Sequence, residues 1–126
     1  MLSLIDSSAW IDFFRGREPY ASLVDTVVAD GNAAICGMVE LELRNGIKVG
    51  ETYILELLAA THRLPTREED FTEAGTKLAQ LRSKGITVPS SDGLIAQLAI
   101  RHGATLIAND AHFTQFKTFG LKQRTP

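Results

Sequence analysis

Three short apolar runs, at residues 2–5, 33–36 and 105–108, constrain the fold of this chain most strongly. Each is the length of a buried strand, and amphipathic helical patterns separate them along the sequence. Strands that alternate with helices predict a parallel sheet covered on both faces. We therefore expect an α/β/α sandwich with a central, mostly parallel sheet. The 126 residues are enough for a single domain, 1–126, with one core.

The segments between the apolar runs read as helices. A serine at position 7 or 8 is expected to cap residues 9–15, and Ser90 or Ser91 to cap the helix that Gly103 ends. Residues 68–83 form the longest predicted helix. Leu41 and Phe71 are expected on inward helical faces, residues 63–65 as an edge strand, and residues 86–88 as either a strand or an extended loop.

Composition narrows the possible functions. No run of about eighteen apolar residues exists, so we expect no membrane association, and the absence of a leader pattern predicts a cytoplasmic protein. The net charge of −2 predicts no broad basic surface for nucleic acid, which would have to be held by local basic groups and bound cations. The single cysteine, Cys36, permits no internal disulfide and is expected to be buried.

Four acidic residues are expected to converge at one edge of the sheet. Asp6 and Asp110 follow the first and last apolar runs, Asp92 lies in the first turn of a helix, and Glu42 lies on the helix after the second run. In open parallel sheets, ligands bind outside the carboxyl ends of the strands, and a helix N-terminus favours a carboxylate. All four side chains can therefore point into one cleft.

Clustered carboxylates raise one another's pKa unless a cation neutralises them, and hard Mg²⁺ or Mn²⁺ is the natural partner. The three histidines, His62, His102 and His112, show no zinc-ligand spacing to one another or to Cys36. A cation in an acidic cleft suits phosphate esters, because it clamps the phosphate and lowers the pKa of an attacking water. The sequence therefore predicts metal-dependent hydrolysis of phosphodiester bonds.

The chain resembles a PIN domain, and within that family it resembles the VapC type of bacterial toxin ribonuclease. The resemblance covers essentially the whole chain in order and is specific as an ensemble. It is carried by four segments: DSSAWI at 6–11, ELRNG at 42–46, SSDGLIA at 90–96 and LIANDAHF at 106–113.

This resemblance implies a Mg²⁺- or Mn²⁺-dependent endoribonuclease whose acidic cluster consists of Asp6, Glu42, Asp92 and Asp110. It also implies an RNA substrate, an inhibiting VapB-like antitoxin protein and a homodimer. Glu40 competes with Glu42, which is preferred because the family's glutamate stands four residues before a glycine, here Gly46. The last segment departs from the family pattern near Ala108 and His112, which leaves open whether Asp110 binds metal directly or through water.

Each acidic residue also has an ordinary structural interpretation. Asp6 and Asp110 can be helix caps, Asp92 a partner of the helix dipole, and Glu42 a solvated helix residue. His112 is expected to be structural, with an acid–base role as the alternative. Phosphoaspartate enzymes fit poorly, because they need a second aspartate two residues after the first and this chain has Ser8 there. Receiver modules also fit poorly, because they need a lysine after the last strand and this chain has none beside Asp110. The alternative that this chain is a PIN-like module that only binds a partner remains open.

Overall fold

The computed structural model describes residues 1–126, and its centre is a four-stranded, all-parallel sheet. The strands are β1 (Ser3–Ile5), β2 (Ala33–Ile35), β3 (His62–Arg63) and β4 (Thr105–Ile107), in the order β3-β2-β1-β4. Leu4 of β1 lies in register with Ala34 on one side and Leu106 on the other. The predicted parallel sheet and its three buried strands are confirmed, and the fourth strand is a short edge strand.

Seven helices flank the sheet. They are α1 (Ser7–Phe14), α2 (Tyr20–Ala29), α3 (Gly37–Gly46), α4 (Thr52–Ala59), α5 (Glu68–Ser83), α6 (Ser90–His102) and a 3₁₀ helix (Ala111–Phe119). Consecutive residues of β1 and β2 are buried, so both faces of the sheet are covered, as the α/β/α prediction requires. The bounds of α5 agree with the prediction, and Gly103 ends α6 in the left-handed conformation at φ 65°. No helix is long and apolar enough to span a membrane.

The predicted inward faces of two helices were wrong. Leu41 of α3 is 60% exposed and Phe71 of α5 is 55% exposed. The buried positions of α3 are Val39 and Leu43, so the inward face is turned away from Leu41. On α5 the inward face includes Asp70, directly before the phenylalanine. When a charged residue is buried, a prediction of the inward helical face that uses apolar residues alone gives the wrong orientation.

One local prediction at the start of α6 needs correction, and one pair of alternatives before it is resolved. Pro89 precedes the helix and no side chain caps it, so neither Ser90 nor Ser91 has the expected capping role. Residues 86–88 form no strand and are extended loop, the second of the two alternatives. Proline at the helix boundary supplies the turn into α6 with its restricted φ and needs no capping hydroxyl.

The core lies on both sides of the sheet. Trp10, Phe113 and Phe116 are fully buried, and Cys36 is buried as predicted. Beyond the 3₁₀ helix, the C-terminal segment crosses the outer edge of β4, where Leu106 and Gln123 form a parallel bridge. This segment therefore protects the unpaired edge of β4.

Gly93 of α6 packs directly against the side chain of Leu78 on α5. A Cβ atom placed on Gly93 would lie 2.6 Å from Cδ1 of Leu78. Gly93→Ala should therefore lower the free energy of unfolding by about 1 kcal/mol, because overpacking against Leu78 outweighs the gain in helix propensity. Urea denaturation measures this effect. In a Leu78→Ala background the same substitution should be neutral or stabilising, and equal destabilisation in both backgrounds would contradict the packing explanation.

Candidate metal centre

The sheet topology brings the first and last acidic residues together. Asp6 follows β1, Asp110 follows β4 after a short loop, and these two parallel strands are neighbours. The backbone N–H of Asp6 donates to the carbonyl of Ile107, which ties the two strand ends together at 2.9 Å. Both carboxylates therefore lie at the carboxyl edge of the sheet, as the sequence predicts.

Asp6 is a buried carboxylate of the acidic cluster and also the N-terminal cap of α1. It is only 3% exposed, and its side chain, rather than a serine, caps α1. Its Oδ2 accepts hydrogen bonds from the backbone N–H of Ser8 at 3.1 Å and from the Ser8 hydroxyl at 2.6 Å. Burial raises the pKa of Asp6, the Ser8 hydrogen bonds offset part of that increase, and the charge of Asp110 adds to it. The capping interpretation and the clustering interpretation are therefore compatible.

Asp92 lies in the first turn of α6 with a side chain that is 10% exposed. Burial, followed by the negative charges of Asp110 and Asp6, raises its pKa to about 6. A carboxylate at a helix N-terminus would ordinarily be favoured in its charged form. The raised pKa therefore reports the repulsion and desolvation that a bound cation would relieve.

Of the two competing glutamates, only Glu42 faces the other acidic residues. Its Oε1 accepts a hydrogen bond from the Ser7 hydroxyl at 3.1 Å. Burial raises the pKa of Glu42, the Ser7 bond offsets part of this, and the charges of Asp6 and Asp110 add to it.

Glu40 is bound instead by two guanidinium groups. Nε of Arg44 lies 2.7 Å from its Oε2, and Arg63 pairs with its Oε1. Hydrogen bonds from Arg44 and Arg63 hold the pKa of Glu40 below its usual value. This glutamate is therefore already neutralised by its own chain and has no unpaired charge to offer a cation.

His112 lies inside the acidic cluster. Its Nδ1 is 3.3 Å from Oδ2 of Asp92 and 3.1 Å from Oδ1 of Asp110, and its side chain is about half exposed. Ligand-type atoms of Asp92, Asp110 and His112 all lie within 4.8 Å of one another. Asp110 also caps the 3₁₀ helix by accepting from the backbone N–H of His112 at 2.9 Å. His112 therefore lies where the alternative acid–base role is geometrically possible.

Two residues to which the sequence assigned no role in the site, Ser8 and Asn109, support it. The Ser8 hydroxyl, which donates to Asp6, accepts from the backbone N–H of Asn109 at 3.0 Å. The Asn109 side chain in turn donates to Asp12 at 2.9 Å, so α1 and the loop after β4 are linked. The only sequence signal for this link was the hydroxyl residue two positions after Asp6. Such hydrogen bonds hold acidic ligands in a defined orientation.

The donor set fits a hard divalent cation. Asp92, Asp110 and His112 bring ligand-type atoms together. Asp6 and Glu42 lie outside that set and are linked to it by the charge effects that help to raise the pKa values of Asp6, Glu42 and Asp92. Oxygen-rich sites of this kind suit Mg²⁺ or Mn²⁺, and a single imidazole among carboxylates is also compatible with Mn²⁺. The buried Cys36 and the distant histidines contribute no ligands that would favour zinc.

Comparisons with known proteins agree on one family. The model of the PIN domain family matches residues 3–118. A VapC ribonuclease of Mycobacterium bovis and Ribonuclease VapC11 of Mycobacterium tuberculosis are each 36% identical over 119 residues, covering 87% of this chain and 87% of theirs.

Solved structures share the fold at lower sequence identity. VapBC2 from Rickettsia felis, solved with a DNA fragment from its promoter, superposes with a TM-score of 0.76 at 21% identity, covering 98% of both chains. FitAcB from Neisseria gonorrhoeae gives a TM-score of 0.76 at 18% identity, covering 99% of this chain and 98% of that one. At these identities the superpositions establish the architecture alone.

Proposed function

The chain belongs to the PIN domain family, and from that membership we propose that it is a metal-dependent endoribonuclease, the toxin component of a VapBC-type toxin–antitoxin pair. The observation that carries this proposal is the cluster of Asp92, Asp110 and His112, with the negative charges of Asp6 and Glu42 close enough to raise the pKa of Asp92. The named ribonucleases that share 36% of its sequence support the choice of RNA as substrate.

In this proposal Asp6, Glu42, Asp92 and Asp110 would hold Mg²⁺ or Mn²⁺. A bound cation would supply charge neutralisation at a phosphodiester and would lower the pKa of a nearby water. The chain itself orients the acidic groups: Ser8 holds Oδ2 of Asp6, and Ser7 holds Oε1 of Glu42. Nδ1 of His112, beside both Asp92 and Asp110, is in position to hold or pass a proton at the edge of the cluster.

The proposed partners are a VapB-like antitoxin and a second copy of this chain. The solved structures that share its fold include toxin–antitoxin complexes, which supports the antitoxin. The homodimer rests on the family resemblance.

RNA cleavage by the purified full chain tests the proposal. Cleavage of single-stranded RNA should require Mg²⁺ or Mn²⁺, stop with excess EDTA and return when Mn²⁺ is restored. A chain that binds an antitoxin but cleaves no RNA under these conditions would be a non-catalytic PIN-like binding module instead.

Glu42 and Glu40 form a matched pair for the same assay. Glu42→Gln should lower the cleavage rate by roughly 10- to 100-fold, because it removes a charge that faces the cation site. Glu40→Gln should stay within about twofold of wild type, since Glu40 is paired with Arg44 and Arg63. Initial rates at saturating Mn²⁺ measure both. The reverse order of effects would assign the site to Glu40.

A further inference from the structure

A polar cleft of about 330 Å³ opens beside the acidic cluster. Asn109 and Asp110 are among its lining residues, so the cleft adjoins the proposed metal centre at Asp110. Tyr20, Lys117, Gln123 and Thr125 also line it. Its volume falls within the range of pockets that hold a small organic ligand or one nucleotide unit.

The outer wall of this cleft is the C-terminal segment that crosses β4. The backbone N–H of Leu106 donates to the carbonyl of Lys122 at 2.8 Å, and the N–H of Arg124 donates to the carbonyl of Leu106 at 2.9 Å. Side chains alternate along an extended segment, so Gln123 and Thr125 face the cleft while Lys122 and Arg124 face away from it. Two neighbouring lysines, Lys117 and Lys122, therefore differ in whether they reach the cleft.

The cleft offers the three kinds of contact that a single-stranded nucleotide uses. Lys117 is exposed and is the only cationic residue lining the cleft, so it is placed to meet a phosphate. Tyr20, half-buried at the start of α2, supplies an aromatic wall for a base. Gln123 lines the cleft with a half-buried side chain, and its Oε1 is buried without a hydrogen-bond partner within the chain, so rotation of the amide would present this unpaired acceptor to a base edge.

We propose that this cleft is a substrate subsite that binds the nucleotide next to the scissile phosphate of single-stranded RNA. Lys117 holds a phosphate of that nucleotide, and Tyr20 and Gln123 contact its base. The proposal rests on the ribonuclease function proposed above, and it adds the direction in which the RNA strand leaves the acidic cluster.

Kinetics with a matched lysine pair test the subsite. With single-stranded RNA octamers of randomised sequence and saturating Mn²⁺, Lys117→Ala should lower kcat/KM by about tenfold, mainly through KM, and reduce its dependence on salt. Lys122→Ala, an exposed lysine on the opposite side of the segment, should stay within about twofold of wild type. Because Lys117 is exposed, its replacement should leave the thermal unfolding midpoint unchanged.

Sequencing the cleavage products separates base contacts from phosphate contacts. Gln123→Ala should change the nucleotide preference at one position beside the cut by at least about threefold, whereas Lys117→Ala should leave all preferences as in wild type. If the wild type cleaves RNA and the two lysine variants are equally active, the subsite is wrong while the ribonuclease function stands. If the wild type cleaves no RNA in Mn²⁺, both proposals are wrong.

Discussion

Asp6→Asn and Asp92→Asn should each reduce Mn²⁺-dependent RNA cleavage by roughly 10²- to 10³-fold. Both substitutions keep the shape of the side chain and remove a negative charge from the most buried part of the cluster, where Asp6 is 3% and Asp92 is 7% exposed. The measurement is the initial rate with single-stranded RNA at saturating Mn²⁺. Equal activity in the wild type and both variants would indicate a contaminating ribonuclease and contradict the assignment.

The stability of Asp92→Asn without metal distinguishes a loss of activity from a loss of folding. The folded pKa of Asp92, about 6, lies above its ordinary value of 3.8. The folded state therefore binds a proton more tightly than the unfolded state, and the stability of the wild type should fall as pH rises from about 4 to about 6. Asp92→Asn removes the Asp92 share of that dependence, while the raised pKa values of Asp6 and Glu42 leave the remainder. The variant should be more stable than wild type at pH 7.5 by about 1–2 kcal/mol, less than the full shift gives because solvent screens the site.

Urea denaturation in EDTA at pH 7.5 and at pH 4 measures this difference. At pH 4 the wild type and Asp92→Asn should have nearly equal free energies of unfolding, since most Asp92 is protonated in the folded wild type. A marked loss of stability in Asp92→Asn at pH 7.5 would instead identify Asp92 as a carboxylate that stabilises the N-terminus of α6.

Asp70→Ala should lower the free energy of unfolding by about 3–5 kcal/mol, the largest stability effect expected outside the apolar core. Asp70 is fully buried, and Arg101 donates to its Oδ1 at 2.7 Å and to its Oδ2 at 2.9 Å. The backbone N–H of Arg67 donates to it at 2.8 Å. Asp70→Ala removes the carboxylate that joins α5, α6 and the preceding loop. The Arg101 guanidinium and the backbone N–H of Arg67 then lose their hydrogen bonds to it.

The lowered pKa of Asp70 also predicts how the free energy of unfolding depends on pH. Burial raises the pKa of Asp70, but hydrogen bonds from Arg101, Arg67 and Gln97 outweigh it and lower the pKa to about 2. The contribution of Asp70 is therefore complete above about pH 4 and is lost as pH falls through about 2. Urea denaturation at pH 7 and pH 3 checks this for wild type and Asp70→Ala. Glu68→Ala, an exposed neighbour in the first turn of α5, is the control and should change stability by less than about 0.5 kcal/mol.

The sheet and the approach of Asp6 to Asp110 could be predicted because both follow from strand ends. Apolar runs too short for helices identify the strands, and a parallel sheet brings their carboxyl ends to one edge. The locations of Asp6 and Asp110 could be predicted from their positions after such runs alone. The selection of Glu42 over Glu40 came from spacing to Gly46 in the family pattern, whereas its physical reason, the pairing of Glu40 with Arg63, joins residues far apart in sequence.

Long-range pairing of polar groups limited the rest of the prediction. Asp70 reads as a solvated residue in the first turn of α5, and only the fold shows that Arg101 of α6 neutralises it. Its burial turns the inward face of α5 away from Phe71. In the same way, the position of His112 in the cluster depends on how the 3₁₀ helix begins at Asp110, and short segments of this kind have no periodicity to read.

Anomalous X-ray diffraction from crystals soaked in Mn²⁺ shows whether the four carboxylates bind a divalent cation. We expect a manganese peak among Asp6, Glu42, Asp92 and Asp110, with direct bonds to at least Asp6 or Asp92, and no such peak in Asp92→Asn crystals soaked in parallel. A cleft without a peak in the wild type, or an equal peak in the variant, would contradict this expectation.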